Sequence, residues 1–178
     1  AALAALVLEQ VEQARRQVDW HLARARAAGG HGMPGQRVVL APVVRDLLRV
    51  LHKVHAARAL VLRCDGIADE LAFAGEQQDL QEILGNLLDN ACKWARTVVS
   101  VDAHRVPGAQ APLLVITVQD DGPGIAPEQR LAVLARGARM DASVPGSGLG
   151  LAIAADRVAA YGGSMALEHA PLGGLQVV

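Results

Sequence analysis

Apolar residues recur along this chain with two different periods, and the switches between them predict its elements. Over residues 1–28, Leu3, Val7, Val11, Ala14, Val18, Leu22 and Ala25 fall at spacings of four and three. Such a seam predicts a long helix that seeks a partner helix, with Gly29-Gly30 as its stop. The run GGHGMPGQ that begins there has linker composition, so the chain divides into 1–30 and 31–178. A second helix is predicted from Pro42 to about Arg58, with Val43, Val44, Leu47, Leu48, Leu51 and Val54 buried and His52 and His55 on its surface. A third runs from Glu76 to Trp94, its Leu80, Ile83, Leu84, Leu87, Leu88 and Ala91 falling within an arc of roughly 140°. A fourth spans Leu149 to about Tyr161 and ends at Gly162-Gly163.

Between the helices lie shorter β-rich runs at Val38–Leu40, Ala59–Cys64, Leu71–Ala74, Val98–His104, Leu113–Gln119, Ser164–His169 and Leu175–Val178. Asp65-Gly66, Pro107-Gly108 and Leu172-Gly173-Gly174 are turn signals, and the last two join hairpins. Ile125 to Pro145 carries no clear period, and a connection of that length in a compact domain is usually functional, often a lid. Interleaved helices and hairpins predict an α+β fold: a two-layer sandwich with helices on one face of a mixed sheet, preceded by one long helix.

The third helix has an unusual polar side. Asn86, Asn90 and Lys93 lie within roughly 60° of one another, flanked by Asp79 and Glu82. Asn is a mediocre helix former because its amide competes for backbone partners. Two amide oxygens and an ammonium on one stripe suit a hydrated metal and an anion; a solvated polar face is the alternative. Magnesium takes oxygen ligands and keeps several waters, so one amide oxygen beside substrate phosphates is sufficient. Lys93 would supply a point charge for a phosphate.

Two glycine-rich stretches follow. Asp121-Gly122-Pro123-Gly124 ends a strand, where a carboxylate can accept from an exocyclic amine and glycines let backbone approach a flat ring. Gly146-Ser147-Gly148-Leu149-Gly150 opens a helix, whose free N–H groups and positive end suit phosphate oxygens. The chain has no P-loop sequence, and no strand leads into the second stretch as a dinucleotide fingerprint requires. Alone, each stretch is also met as a plain turn or helix cap.

Composition narrows the rest. A chain of 178 residues can bury one substantial core, and with 52% hydrophobic but 2% aromatic residues that core is Leu, Val, Ala and Ile. A net charge of −1 argues against a broad nucleic-acid surface. Cys64 and Cys92 stand in apolar contexts without metal-ligand spacing, as reduced, buried thiols do. No apolar run approaches the ~20 residues of a membrane span, and AALAALVL lacks the charged start of a signal peptide. Because it begins inside a helical pattern, the chain reads as a piece of a longer protein.

NLLDNACK, then DDGPGI about 30 residues on, then GSGLGLAI about 25 further, resemble the N, G1 and G2 boxes of the histidine-kinase ATP-binding domain. That fold is shared with DNA gyrase, MutL and heat-shock chaperone ATPases. The resemblance covers nearly the whole chain. GEQQDLQEILGNLLDNACKW, DDGPGIAPEQR and RGARMDASVPGSGLGLAI are most similar to the PhoQ subgroup of sensor kinases. The leading helix is similar to the second helix of that subgroup's dimerisation and histidine-phosphotransfer hairpin.

The resemblance implies ATP and Mg²⁺ as cofactors. Asn90 would hold the metal, Asn86 would assist at the phosphates and Lys93 would reach the terminal phosphate. Asp121 would read the adenine amine in a pocket shaped by Gly122, Gly124 and Ile125. Gly146, Gly148, Leu149 and Gly150 would form the phosphate side and the hinge of the lid. Arg136 and Arg139 are candidate phosphate contacts, with a solvated surface role as the alternative. It also implies the cytoplasmic part of a bacterial inner-membrane sensor, dimeric through its hairpin helices, that passes the γ-phosphoryl group of ATP to a histidine and on to a response regulator receiver domain. Nucleic acid would have no part, and the membrane would be met only through segments outside this sequence.

The related ATPases activate water with a Glu one turn before the metal-binding Asn. Here that position is Asn86, which cannot act as a general base near neutral pH. Phosphoryl transfer is mostly positioning and electrostatics, so a kinase fits better than a hydrolase. Two departures stand out: no His in the chain is followed by an acidic residue, His21 being followed by Leu22, and Leu134 replaces a Phe frequent in the lid. An anti-sigma-type serine kinase of the same fold, or a non-catalytic nucleotide-binding module, are the alternatives.

Overall fold

The computed structural model describes residues 36–64, 66–108, 112–134 and 148–178. The predicted leading helix with His21, the linker with His31, Asp65, and the stretch carrying Arg136, Arg139, Gly146 and Ser147 lie outside the described residues.

The elements, in order, are β1 (Val38–Val39), α1 (Leu40–Val54), β2 (Val61–Arg63), β3 (Ala72–Phe73), α2 (Gln77–Trp94), β4 (Val98–Val106), β5 (Leu113–Asp120), α3 (Pro127–Leu134), α4 (Gly150–Ala160), β6 (Leu167–His169) and β7 (Leu175–Val177). One five-stranded sheet has the order β2-β4-β5-β7-β6, while β1 and β3 form a separate antiparallel pair. β2 joins β4 in parallel and the other neighbours are antiparallel, which makes the sheet mixed as expected.

β4 buries every second residue, Val99, Val101 and Ala103, and presents the others at least partly to solvent. Register carries this parity across: Val101 faces Val118 and Val99 faces Asp120. Onto this face packs α2, whose Leu80, Leu84 and Leu88 are fully buried. Its apolar arc is the one the sequence predicts, and α1 and α4 complete the core with Leu40, Val44, Leu51, Leu151 and Ala154. Among the described residues no helix is long and apolar enough to cross a membrane.

Three expectations are corrected. α1 begins at Leu40 and stops at Val54, where a single 3₁₀ turn, Ala56–Arg58, breaks the pattern that was predicted to reach Arg58. Val54 is exposed rather than buried: it keeps to the apolar face of α1, but Leu51 is the last residue of that helix that the core covers. His55 is no surface residue: it caps α1, and its side chain is only 13% exposed because it bonds Asp89 of α2.

The stretch read as patternless contains α3. Pro127 and Glu128 suit a first turn, but Val133 alone is buried and Leu131 is exposed, so no apolar stripe announced the helix. Leu134, the departure from the lid Phe, packs partly buried against the core. Neither cysteine is in a disulfide; Cys92 is buried and Cys64 only half-buried. Burial, and then the nearby Asp89 charge, push the Cys92 thiol up to about 11, so it stays protonated.

Candidate functional site

α2 lies between α1 and α4, and its polar stripe is the floor of the site. Asn86 turns its side chain back along the helix, Nδ2 donating to the Glu82 carbonyl at 2.8 Å, which leaves Oδ1 as the outward acceptor. A Cβ on Gly150 would stand 3.3 Å from that Oδ1, so glycine lets the first turn of α4 approach the stripe closely. Asn90 lies half-buried one turn further along. Lys93 places Nζ 2.6 Å from Asp89 Oδ2, and Asp89 Oδ1 lies 2.9 Å from His55 Nε2.

The two ends of α2 are fixed by charge. At its start, buried Asp79 accepts from Tyr161 Oη at 2.6 Å and pairs with Arg157 at 3.2 Å. Arg157 also holds Glu82 at 2.5 Å. Burial, then the bond to Asp79, push the Tyr161 hydroxyl up to about 12, so it donates throughout the physiological range. With Tyr161 beside Asp79 and Gly150 beside Asn86, α4 runs antiparallel along α2 and its N-terminus meets the Asn stripe. At the other end Arg58 donates to the carbonyls of Cys92, Lys93 and Ala95, a cation where the helix dipole favours one.

The base side of the site departs from expectation. The carboxylate of Asp121 is engaged by the connection between α2 and β4: Oδ1 accepts from the backbone N–H of Arg96, Thr97 and Val98, and Oδ2 accepts from the Thr97 hydroxyl at 2.6 Å and from its N–H at 3.0 Å. Burial works against the charge, but the Thr97 hydroxyl and these backbone donors outweigh it and hold the carboxyl well below the usual range. Asp121 is thereby a fastener of the fold.

Asp120 is the buried carboxylate, 2% exposed. Its Oδ1 accepts from Gly122 N–H at 2.8 Å and Leu175 N–H at 3.3 Å, and every hydrogen bond described for its side chain falls on that one oxygen. Burial raises its pKa against the pull of the two N–H groups, and the charge of Asp121 adds to the rise. The sequence reading missed Asp120, although a signal was available: it shares the inward parity of Val118 and Ile116.

Gly122 is buried, and a Cβ there would stand 2.4 Å from the Trp94 carbonyl oxygen, so only glycine fits. Gly124 follows with φ of 69°. Ile125 is half-buried against the core, and its carbonyl accepts from Arg130 Nε at 3.2 Å. On the phosphate side Gly148 has φ of 68°, Leu149 is the N-cap of α4 and Gly150 its first residue. The structure thus brings Asn86 and Gly150 together, and places Gly122 of the G1 turn against the last residue of α2, Trp94. Among the described residues no three His, Cys, Asp or Glu side chains converge on a metal position.

Comparison with known proteins bears on the family and the fold. Residues 75–178 match the family described as histidine kinase-, DNA gyrase B-, and HSP90-like ATPase. The sensor protein kinase CarS of Pseudomonas aeruginosa is 43% identical over 173 residues, covering 95% of this chain and 36% of CarS. The sensor protein PhoQ of Escherichia coli strain K12 is 35% identical over 172 residues, covering 97% of this chain and 34% of PhoQ. The chain therefore spans about a third of the length of these relatives. Among solved structures, the mycobacterial sensor histidine kinase MprB superposes with a TM-score of 0.68 at 26% identity, covering 80% of this chain and 93% of that one. The full-length ShkA complex with AMPPNP shares the fold, with a TM-score of 0.67 at 21% identity over 95% of this chain and 37% of that one.

Proposed function

Because the chain belongs to the family of histidine kinase-, DNA gyrase B- and HSP90-like ATPases, we propose that residues 31–178 are the ATP-binding catalytic domain of a two-component sensor histidine kinase. The intact protein would be a dimer through hairpin helices, residues 1–30 supplying part of one. It would lie on the cytoplasmic side of a bacterial inner membrane and pass phosphate through a histidine to a response regulator. When bound, Mg²⁺-ATP supplies the γ-phosphoryl group and the charge that the metal offsets.

The observation that carries this reading is the convergence of an Asn stripe and a glycine-rich helix start on one side, with a buried carboxylate at the G1 turn. Asn90 holds the metal by its amide oxygen. Asn86 Oδ1 and the N–H groups opening α4 face the phosphates. Asp120, rather than Asp121, accepts from the adenine amine through the carboxylate oxygen that its backbone donors leave unused. Ile125 lines the base side. Arg136 and Arg139 remain candidates for the phosphates.

Kinase is favoured over hydrolase because, among the described residues, no free carboxylate stands where a water-activating base is needed. Asn86 is not a base, Glu82 one turn earlier is paired with Arg157, and Asp89 is paired with His55 and Lys93. Titration calorimetry with ATP, with and without Mg²⁺, tests the site. Asn90→Ala is expected to abolish the Mg²⁺-dependent part of the affinity; the same affinity in parent and variant would count against the metal assignment.

A further inference from the structure

Lys93 sits at the rim of α2 with its side chain 31% exposed, yet it does not wave freely. Both oxygens of Asp89 are engaged, Oδ2 with Lys93 Nζ and Oδ1 with His55 Nε2. An Asp–Lys pair four apart on a helix is by itself a modest surface interaction. Here a third partner from another element fixes the carboxylate. The backbone N–H of His55 donates to the Leu51 carbonyl at the end of α1, which sets where its ring can reach. Three residues on, Arg58 grips the main-chain carbonyl of Lys93 together with those of Cys92 and Ala95. One connection, His55 to Arg58, therefore holds Lys93 at both ends, its backbone directly and its ammonium through Asp89.

We propose that Asp89, oriented by His55, is a positioning residue that aims the Lys93 ammonium at the terminal phosphate of the bound nucleotide. This rests on the reading of Lys93 as a phosphate contact. An ammonium has three donors, so one given to Asp89 leaves two for phosphate oxygens. A long, flexible lysine stem loses freedom when it binds a phosphate, and a partner that has already restricted it reduces that loss. His55 shares the charge of Asp89 and keeps the carboxylate from swinging away with the lysine.

The test compares ATP with ADP, since only ATP carries the phosphate in question. On the full 178-residue chain with Mg²⁺, calorimetric affinities are measured for the parent, Asp89→Asn, His55→Gln, Lys93→Ala and the Asp89→Asn/Lys93→Ala double variant. Asp89→Asn is expected to weaken ATP binding roughly 5- to 10-fold while ADP changes less than about twofold, with His55→Gln shifting the same way. The double variant is expected to bind no more weakly than Lys93→Ala. Equal losses for ATP and ADP would make the role merely structural, and tighter ATP binding would make Asp89 a restraint; either overturns the proposal. An undiminished ATP preference in Lys93→Ala would remove the phosphate role of Lys93 and the proposal with it. A normal loss there beside no loss in Asp89→Asn overturns the proposal alone.

Discussion

Adjacent carboxylates at the end of β5 have opposite duties, and replacing each by Asn separates them. Asp120→Asn keeps an oxygen that can accept from Gly122 and Leu175, and replaces the other by an amide NH₂, which cannot accept from an adenine amine. The loss is one charge-assisted hydrogen bond in a buried place, about 1.5–3 kcal/mol, or roughly 10- to 150-fold weaker ATP binding. Folding responds differently. Burial raises the Asp120 pKa, so the native state holds this proton more tightly than the unfolded chain does. The cost of burying its charge is absent below the unfolded value of about 3.9 and complete above the raised folded value. Asp120→Asn is therefore expected to be as stable as the parent at pH 7, or more so.

Asp121→Asn should do the reverse. Its lowered pKa gives stability that is fully present above about pH 3.9 and is lost as pH falls through the folded value. Discounted for its partial exposure, that amounts to about 1–2 kcal/mol at pH 7, with ATP affinity of the folded variant unchanged. Urea denaturation between pH 7 and about 3 reads the first quantity and calorimetry the second. A folded Asp121→Asn that no longer binds ATP, beside an Asp120→Asn that binds normally, would refute the assignment and return the base contact to Asp121.

Two further predictions concern the scaffold beneath the site. Leu88→Ala, at a fully buried position on α2, is expected to cost about 2–5 kcal/mol in urea denaturation, and a loss under about 1 kcal/mol would contradict the packing described. Arg58→Ala removes three bonds to carbonyls at the end of α2 and should lower stability by about 1–3 kcal/mol; hydrogen exchange should rise first in that last turn.

Much of the fold was legible because its helices are amphipathic in the ordinary way. α2 could be placed nearly to the residue, since Leu80 to Ala91 spell out one face and Asn86, Asn90 and Lys93 the polar arc adjoining it. The hairpins were legible from Pro107-Gly108 and Gly173-Gly174. α3 was not, because a helix whose one buried residue is Val133, with only Leu134 partly buried beside it, has no stripe to detect. The end of α1 was misjudged because Val54 continues the apolar spacing while lying exposed.

At the site, the residue types were readable but their partners were not. Asp120 and Asp121 look alike in sequence; only strand parity sends one inward, and only the fold supplies Thr97 and Val98 to engage the other. His55 and Asp89 are 34 residues apart, and no local pattern joins them.

The central claim is that this site delivers phosphate to a histidine rather than to water. The chain, with Mg²⁺ and γ-labelled ATP, should be mixed with a separate dimerisation hairpin of the PhoQ type that carries an acceptor histidine. The expected result is acid-labile label on the hairpin, none on the chain alone, and none in either when Asn90→Ala replaces the parent. Free labelled phosphate without labelled protein, or acid-stable label on serine, would contradict it.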